Sequence, residues 1–510
     1  MLGGVRVPQT FREAMMEPEA WWEPMVREIN VMKARGVYEL VERPVGKNII
    51  DPKWVYALKF DGNGALSDRK SRIVAKGYTQ IQGVDFEETY AATARLESFR
   101  LILAIVASLG LVLWQLDFVA AYLNSDIEFD VYMEQPQGFS EGGGDMVWKL
   151  RKTLYGTMQG GHDWFKTLSK AYKELGYRQS LAEPTIWTRR DGEKFTITCT
   201  YTDDTMGGSS DSAEAERAKR ELGEKFEAKV MKEVDHMLGI KVEVVEEGIR
   251  ISQKAYAKRM LEKFGMESCK LRSTPLPVGI ALSTKDGPDT DEEKEENEKG
   301  PISRGARVPD VVTANPGRAH WEAMKHVMAY VRGTLDYGIT YHRGASLQPV
   351  GFVDSDFVND RDTRRSTDGH VFFAGGGPVS WSTKRQETVA TSTTEAEYMA
   401  VSQAVQQAMW LSSFFDQAAI PQQRPVTLFI DNNGAIDMTK TYRGHKQTKH
   451  IDVRHHFIKE KVEMGEFSPV YIPSEDNVAD LLTKPLPHEA TQSFTSDLGL
   501  WELDGERAGV

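Results

Sequence analysis

Apolar positions along the chain change period several times, and each change predicts an element. Leu101 to Trp114 is the longest apolar run, fourteen residues. It is too short to cross a bilayer and reads as a buried helix running into a buried strand. Trp114 to Phe118 ends that strand and carries Asp117 at its end. Phe195 to Thr200 alternates with the two-residue period of a strand, and Tyr201 to Asp204 follows as a hairpin turn before Met206-Gly207-Gly208. Val350 to Asp356 reads as a strand whose period sets Phe352, Asp354 and Asp356 on one face. Ser392 to Ala418 is the longest helical pattern. It opens with a capping box in which Ser392 caps and Glu395 reaches back to the Ser392 amide, leaving Glu397 free to bind metal. Val426 to Ile430 is a short apolar strand ending at Asp431, and Asp480 lies near a helix start. Gln253 to Phe264 and His320 to Arg332 are amphipathic helices.

These elements divide the chain. Residues 1–270 alternate helical and strand patterns, and residues 271–345 hold a polar segment and one amphipathic helix. Residues 346–490 run strand, strand, strand, long helix, strand, helix, helix, strand, helix, and 491–510 form a tail. The fold class is α/β and α+β. Ala281 to Gly300 carries eight acidic residues against three basic and no aromatic, so it reads as an exposed linker. At 510 residues, 40% hydrophobic and 27% charged, the composition is globular rather than disordered. A net charge of −12 excludes a uniformly basic nucleic-acid binder but not local patches. Two such patches exist, Asp51 to Gln80 at +3 and Lys440 to Lys461 at +5. Each is either a solvated face or a phosphate-contacting surface beside a metal site. Two cysteines exclude a disulfide framework and a Cys-rich zinc site. The N-terminus lacks a signal-peptide pattern, so secretion is not expected. His450, His455 and His456 are poorly spaced for zinc and belong to a basic helix near the substrate or to a surface.

Two adjacent acids at a hairpin tip, Asp203 and Asp204, are often simple turn formers. The alternative is chemical: Asp117, at the end of a separate strand, would supply the partner carboxylate for two divalent cations about 3.5–4 Å apart, which can serve an in-line phosphoryl displacement. Similarly, Asp354, Glu397, Asp431 and Asp480 sit at strand ends and helix starts that can converge on one edge of a sheet. A buried strand acid is costly without a metal or a partner.

The succession Lys53-Trp54-Val55, Ser71 to Tyr78, Glu88-Thr89-Tyr90, Gln115 to Asn124, Leu154-Tyr155-Gly156 and Tyr201 to Asp204 resembles the reverse transcriptase of copia-type LTR retrotransposons, and the match runs over nearly the whole chain. The resemblance implies a right-hand polymerase with fingers and palm, followed by a ribonuclease H-like α/β domain. In that family the acids matching Asp117, Asp203 and Asp204 form the polymerase metal site in the palm. Arg72, with Lys76 and Lys59, matches finger residues that meet the incoming triphosphate, and Tyr155 and Gly156 join the nucleotide-binding set. Tyr122 matches an aromatic gate against the ribose 2′-OH; the alternative for it is a core aromatic after a helical turn. Trp381 to Gln386, Lys449 to Phe457 and Ala479 to Leu486 match the ribonuclease H domain, in which Asp354, Glu397, Asp431 and Asp480 correspond to the metal-binding set. Two Mg²⁺ per site are implied, with Mn²⁺ as the alternative. The implied partners are an RNA template, a DNA primer, RNA–DNA hybrid and deoxynucleoside triphosphates, with no membrane. The implied setting is intracellular, in a cytoplasmic virus-like particle or the nucleus.

Three departures from the family pattern bear on function. Thr202 stands where the family has Val, a β-branched exchange that fits a strand edge. Thr157 to Trp164 lacks the family's Pro and Arg, which touches nucleotide or template positioning. A helical segment with a Thr-Arg-Pro-Asp signature is absent between the linker and the Ala319 to Arg332 helix, a truncated thumb or connection that should lower processivity. The alternative function is therefore a catalytically impaired, nucleic-acid-binding relic of such an element.

Overall fold

The computed structural model describes residues 6–60, 66–143, 145–280, 282–288, 290, 316–440 and 449–502. Most of the acidic linker, the site of the missing thumb segment, residues 441–448 of the second basic patch and the tail from 503 onward lie outside the described residues. Among the described residues, no helix is long and apolar enough to cross a membrane.

Pro52–Phe60 (β1) and Leu66–Ala75 (β2) pair as a long antiparallel hairpin. Leu96–Leu109 (α1) is apolar on nearly every side and buried from Ser98 to Ala107, as a helix enclosed by protein should be. Gly110, at φ 64°, ends it in the left-handed conformation that glycine adopts without strain. The chain then turns straight into Val112–Phe118 (β3), the expected helix-to-strand passage. Gly160–Glu174 (α2), Lys194–Tyr201 (β4), Asp204–Ser209 (β5) and Ala228–Val230 (β6) complete the surroundings of the first acids. The antiparallel sheet runs β6-β3-β5-β4, then Ile186–Asp191 and Arg178–Gln179. Strand alternation sends Ile197, Cys199 and Met206 toward α1. Trp114, Leu116 and Phe118 face the other way, against Trp164, Leu168 and Tyr172 of α2.

The second half builds a mixed sheet from Val350–Ser355 (β7), Thr367–Ala374 (β8), Gly377–Arg385 (β9), Val426–Ile430 (β10) and Phe467–Tyr471 (β11), in the order β9-β8-β7-β10-β11. β7, β8 and β9 are antiparallel, whereas β7, β10 and β11 are parallel neighbours. Thr393–Gln417 (α3) provides the crossover and packs on β7 and β8. A further sheet joins His236–Met237, Ile240–Val245 and Gly248–Ser252 to Tyr337–His342 and Leu500–Glu502. α1 packs against both Tyr337–His342 and β9, so one hydrophobic core runs unbroken from residue 94 to residue 467.

One local expectation needs correction. Ser392 caps α3, accepting from the Glu395 amide at 3.2 Å, but Glu395 reaches the Thr391 amide at 2.8 Å rather than that of Ser392. The Thr391 hydroxyl donates to the same carboxylate oxygen, and two donors from one residue outcompete one amide. Asp480 lies in the first turn of a short 3₁₀ helix, Val478–Leu482, near a helix start as expected.

Gly207 shows how tightly the first sheet is packed: a Cβ built there would stand 2.3 Å from the Trp114 ring. Gly207→Ala is expected to lower the thermal unfolding midpoint, with a loss of about 1–3 kcal/mol typical of overpacking. Calorimetric scanning of the full chain measures this, and an unchanged midpoint would show that the Trp114 ring moves aside freely.

Candidate functional site

Asp117 and Asp204 are direct partners in the β3–β5 ladder, so their side chains leave the same face of the sheet. Asp203 sits in the two-residue turn between β4 and β5, and its carbonyl accepts the Phe118 amide at 2.8 Å. Thr202 does not occupy a strand edge, as expected, but a left-handed turn position at φ 54°. The tight hairpin forces that conformation, which is strained for a β-branched residue. The indole of Trp164 donates to the Thr202 carbonyl at 2.5 Å and holds the turn. Burial and the neighbouring Asp117 raise the Asp203 pKa. Burial, Asp203 and Asp117 raise Asp204 to about 6.

Cations on β2 face these acids. Arg72 and Lys70, two residues apart, lie on one face of the strand, and both pull the Asp203 pKa back down. Burial pushes the Lys70 ammonium down to about 8, and Lys59, Arg72 and Lys229 push in the same direction. The Arg72 guanidinium lies 4.7 Å from the centre of the Tyr155 ring, which meets Tyr122 edge-on at 4.6 Å. Burial and the charge of Asp203 raise the Tyr122 pKa, and the same ring packs against the core of Trp114, Leu116 and Trp164. Lys76 points elsewhere and pairs with Asp51 at 3.1 Å. Gly156, at φ 87°, packs against the end of β2, where a Cβ would stand 2.2 Å from the Ala75 carbonyl.

The second cluster follows from parallel pairing. Val353 of β7 is in register with Ile430 of β10, so the next residues at their carboxyl ends, Asp354 and Asp431, meet. Asp480 arrives from the 3₁₀ turn beyond β11. Ligand oxygens of Asp354, Asp431 and Asp480 all lie within 4.8 Å of one another. Glu397 adjoins them from the start of α3. Burial, Asp354 and Asp431 raise its pKa to about 9. Burial and Asp354 raise Asp480 to about 7. Ser474 donates to Asp431 at 2.7 Å, and the Thr483 hydroxyl donates to Asp354. Lys484 Nζ stands 2.9 Å from Asp480 and 3.5 Å from Asp354.

This second donor set fits a divalent cation. It is all oxygen, the class hard cations prefer, and Glu397 Oε2 and Asp431 Oδ1 are buried without a hydrogen-bond partner. Oxygens left this way in a folded chain call for an ion or water. Among the described residues it is the one group of three or more ligands gathered that closely. Asp117, Asp203 and Asp204 are neighbours but more spread, with Asp203 drawn toward Arg72 and Lys70 and Asp204 accepting from Gln115. Sequence reasoning missed Lys70, Lys229, Gln115, Ser474, Thr483 and Lys484. Two signals were present: Lys70 is one strand period from Arg72, and Lys484 follows Asp480 by four residues.

A family model for reverse transcriptase (RNA-dependent DNA polymerase) matches residues 35–278. The chain is 36% identical over 506 residues to the retrovirus-related Pol polyprotein from transposon TNT 1-94 of Nicotiana tabacum, covering 94% of this chain and 38% of that protein. It is 30% identical over 518 residues to the corresponding polyprotein from transposon RE2 of Arabidopsis thaliana, covering 99% and 35%. The chain thus spans little more than a third of the length of these relatives. Among solved structures, foamy viral protease–reverse transcriptase in complex with double-stranded DNA is similar at a TM-score of 0.46 and 12% identity, over 88% of this chain and 69% of that one.

Asp204, Asp480 and Glu397 all ionise later than they would in an unfolded chain. Their protonation stabilises the fold below the unfolded carboxylate range, and that contribution is lost as pH rises through about 6, about 7 and about 9. In metal-free buffer the unfolding midpoint should therefore fall from about pH 5 to about pH 8, and Mg²⁺ should restore more of it at the higher pH. Thermal scans with and without Mg²⁺ check this; a metal effect of equal size at both pH values would separate the cation from these carboxylates.

Proposed function

The chain belongs to the reverse transcriptase family of copia-type retrotransposon Pol polyproteins. From that premise we propose that it is an RNA-directed DNA polymerase whose second half hydrolyses the RNA strand of RNA–DNA hybrids. In this reading the β1–β2 hairpin belongs to the fingers, the sheet carrying Asp117, Asp203 and Asp204 is the palm, and the β7–β11 sheet is a ribonuclease H-like domain. The observation that carries the proposal is the presence of two carboxylate clusters at strand ends of two different sheets in one chain.

A pair of Mg²⁺ ions at each cluster, with Mn²⁺ accepted, would offset phosphate charge and favour the attacking and leaving oxygens. The remaining work falls to the chain. Arg72, Lys70 and Lys59 form a cationic face for the triphosphate of an incoming deoxynucleotide, and Lys229 adds charge beside β3. Lys76 joins them only by exchanging Asp51 for a phosphate. Tyr155, clamped under Arg72, braces Tyr122 so that its ring lies beneath the sugar and crowds an added 2′-hydroxyl. Gly156 keeps the Tyr155 turn close to β2. In the second half, Lys484, Thr483 and Ser474 orient Asp480, Asp354 and Asp431. RNA template, DNA primer and RNA–DNA hybrid complete the set of partners. An intracellular setting, in a cytoplasmic particle or the nucleus, accords with the unpaired thiols of Cys199 and Cys269.

Primer extension on an RNA template with Mg²⁺ tests the first half and cleavage of a preformed hybrid tests the second. Asp203→Asn should cut extension by about 100-fold or more and spare hybrid cleavage, while Asp431→Asn should do the reverse. Wild-type protein inactive in both assays would end the proposal. Tyr122→Ala should raise the kcat/KM ratio of ribonucleotide to deoxyribonucleotide by about 10-fold or more; an unchanged ratio would return Tyr122 to a core role.

A further inference from the structure

The longest helix among the described residues, α3, starts at the second carboxylate cluster and ends against residues 180–182 of the first half. Glu397 lies near its start beside Asp354 and Asp431, and Gln417 closes it about 30 Å away at 1.5 Å per residue. At this far end one side-chain oxygen gathers three donors. Gln417 Oε1 accepts from the Ser180 hydroxyl at 3.0 Å, from the Ala182 amide at 3.1 Å and from the Leu181 amide. Gln417 Nε2 donates to the Ser413 hydroxyl at 3.0 Å, which sets the orientation of the amide. Trp410, two turns back, donates from its indole to the Ala182 carbonyl at 3.1 Å, and the Arg95 guanidinium stands 5.5 Å from its ring centre.

The captured segment, residues 180–183, leads directly to the first acids. The Thr185 carbonyl accepts the Thr200 amide at 3.1 Å, and Thr200 precedes the hairpin of Asp203 and Asp204 on β4. Leu181 is 88% exposed while Ser180 and Glu183 are buried, so the Leu181 position is held to α3 by its backbone hydrogen bond rather than by burial of its side chain. Beside the helix lies a cavity of about 410 Å³, lined by the second half and, from the first, by Arg95. Its cations are already paired: Arg95 with Glu183 at 3.7 Å, Lys384 with Glu387 at 3.6 Å and Arg385 with Asp360 at 2.7 Å. These pairs tie the walls to the fold rather than to a ligand. On the other side of the junction, Arg100 lies 3.7 Å from the Trp381 ring centre and Gly375 sits against Ala104.

We propose that α3 is a fixed strut and that Gln417 and Trp410 are positioning residues that lock it onto the 180–183 segment. Through these two side chains the lock sets how far the second carboxylate cluster stands from the first, and with it where RNA is cut relative to the primer end. The spacing part rests on the function proposed above; the strut itself does not.

The test uses the full chain with Cys269→Ser and spin labels at Lys173→Cys on α2 and Glu463→Cys in the second half, both exposed positions. The inter-label distance should be narrow in this parent. Gln417→Ala, and to a lesser degree Trp410→Phe, should broaden it, while Gln417→Glu, which keeps an acceptor oxygen, should restore it. On an RNA–DNA hybrid with a recessed primer end, the unlabelled parent should cut at one spacing and Gln417→Ala at several. Primer extension and cleavage of a blunt hybrid should both stay at the parent level. Unchanged distance and unchanged cleavage spacing in Gln417→Ala would overturn the proposal. A chain active in neither assay would defeat the proposed function alone, since the distance measurement still decides the strut.

Discussion

Carboxylates taken out of water and set beside one another repel, and no rearrangement of the surrounding apolar side chains relieves them. That constraint organises both halves of this chain. The first sheet brings Asp117 opposite Asp204 and sets Asp203 in the adjoining turn. The second brings Asp354 and Asp431 together at the ends of parallel strands and closes on them with Asp480 and Glu397. Each cluster is partly compensated from within: Arg72 and Lys70 lower the cost for Asp203, and Lys484 sits between Asp354 and Asp480. Compensation is incomplete, because Glu397 still ionises only near pH 9 and keeps an unpaired buried oxygen. A fold arranged this way favours any cation with oxygen affinity that reaches the site.

Much of the architecture was legible because it is local. The Leu101 to Trp114 run became α1 and β3, the alternation from Phe195 became β4, and Val426 to Ile430 became β10. Periodicity carries such information over a few residues, and an acid placed at the end of an apolar run stands out. The details that escaped are set across long sequence distances or by competing hydrogen bonds. Thr202 takes its left-handed turn because two strands close over two residues and Trp164, thirty-eight positions away, holds its carbonyl. Glu395 turns to Thr391 because two donors wait there. Lys484, Ser474 and Gln417 gain meaning only when strands from distant segments meet, and no period in the chain announces them.

The shared core has a consequence for how the two halves work. α1, read from sequence only as a buried helix, separates the first sheet from β9 and Tyr337–His342 of the second half. Close approach is visible on both sides: Gly375 sits against Ala104, and the Ser108 backbone carbonyl accepts the Gly344 amide at 3.0 Å. Two units joined by a flexible tether would need neither contact. Packing of this density transmits displacement rather than absorbing it, so the placement of the two halves is held at this junction as well as along α3.

The central claim is that two separate groups of acids each bind divalent cations. Titration of the metal-free chain with Mn²⁺, followed by electron paramagnetic resonance, tests it without relying on turnover. Two classes of bound Mn²⁺ are expected, one lost in Asp203→Asn and the other in Asp354→Asn. A chain that binds Mn²⁺ equally well with both substitutions in place would contradict the account.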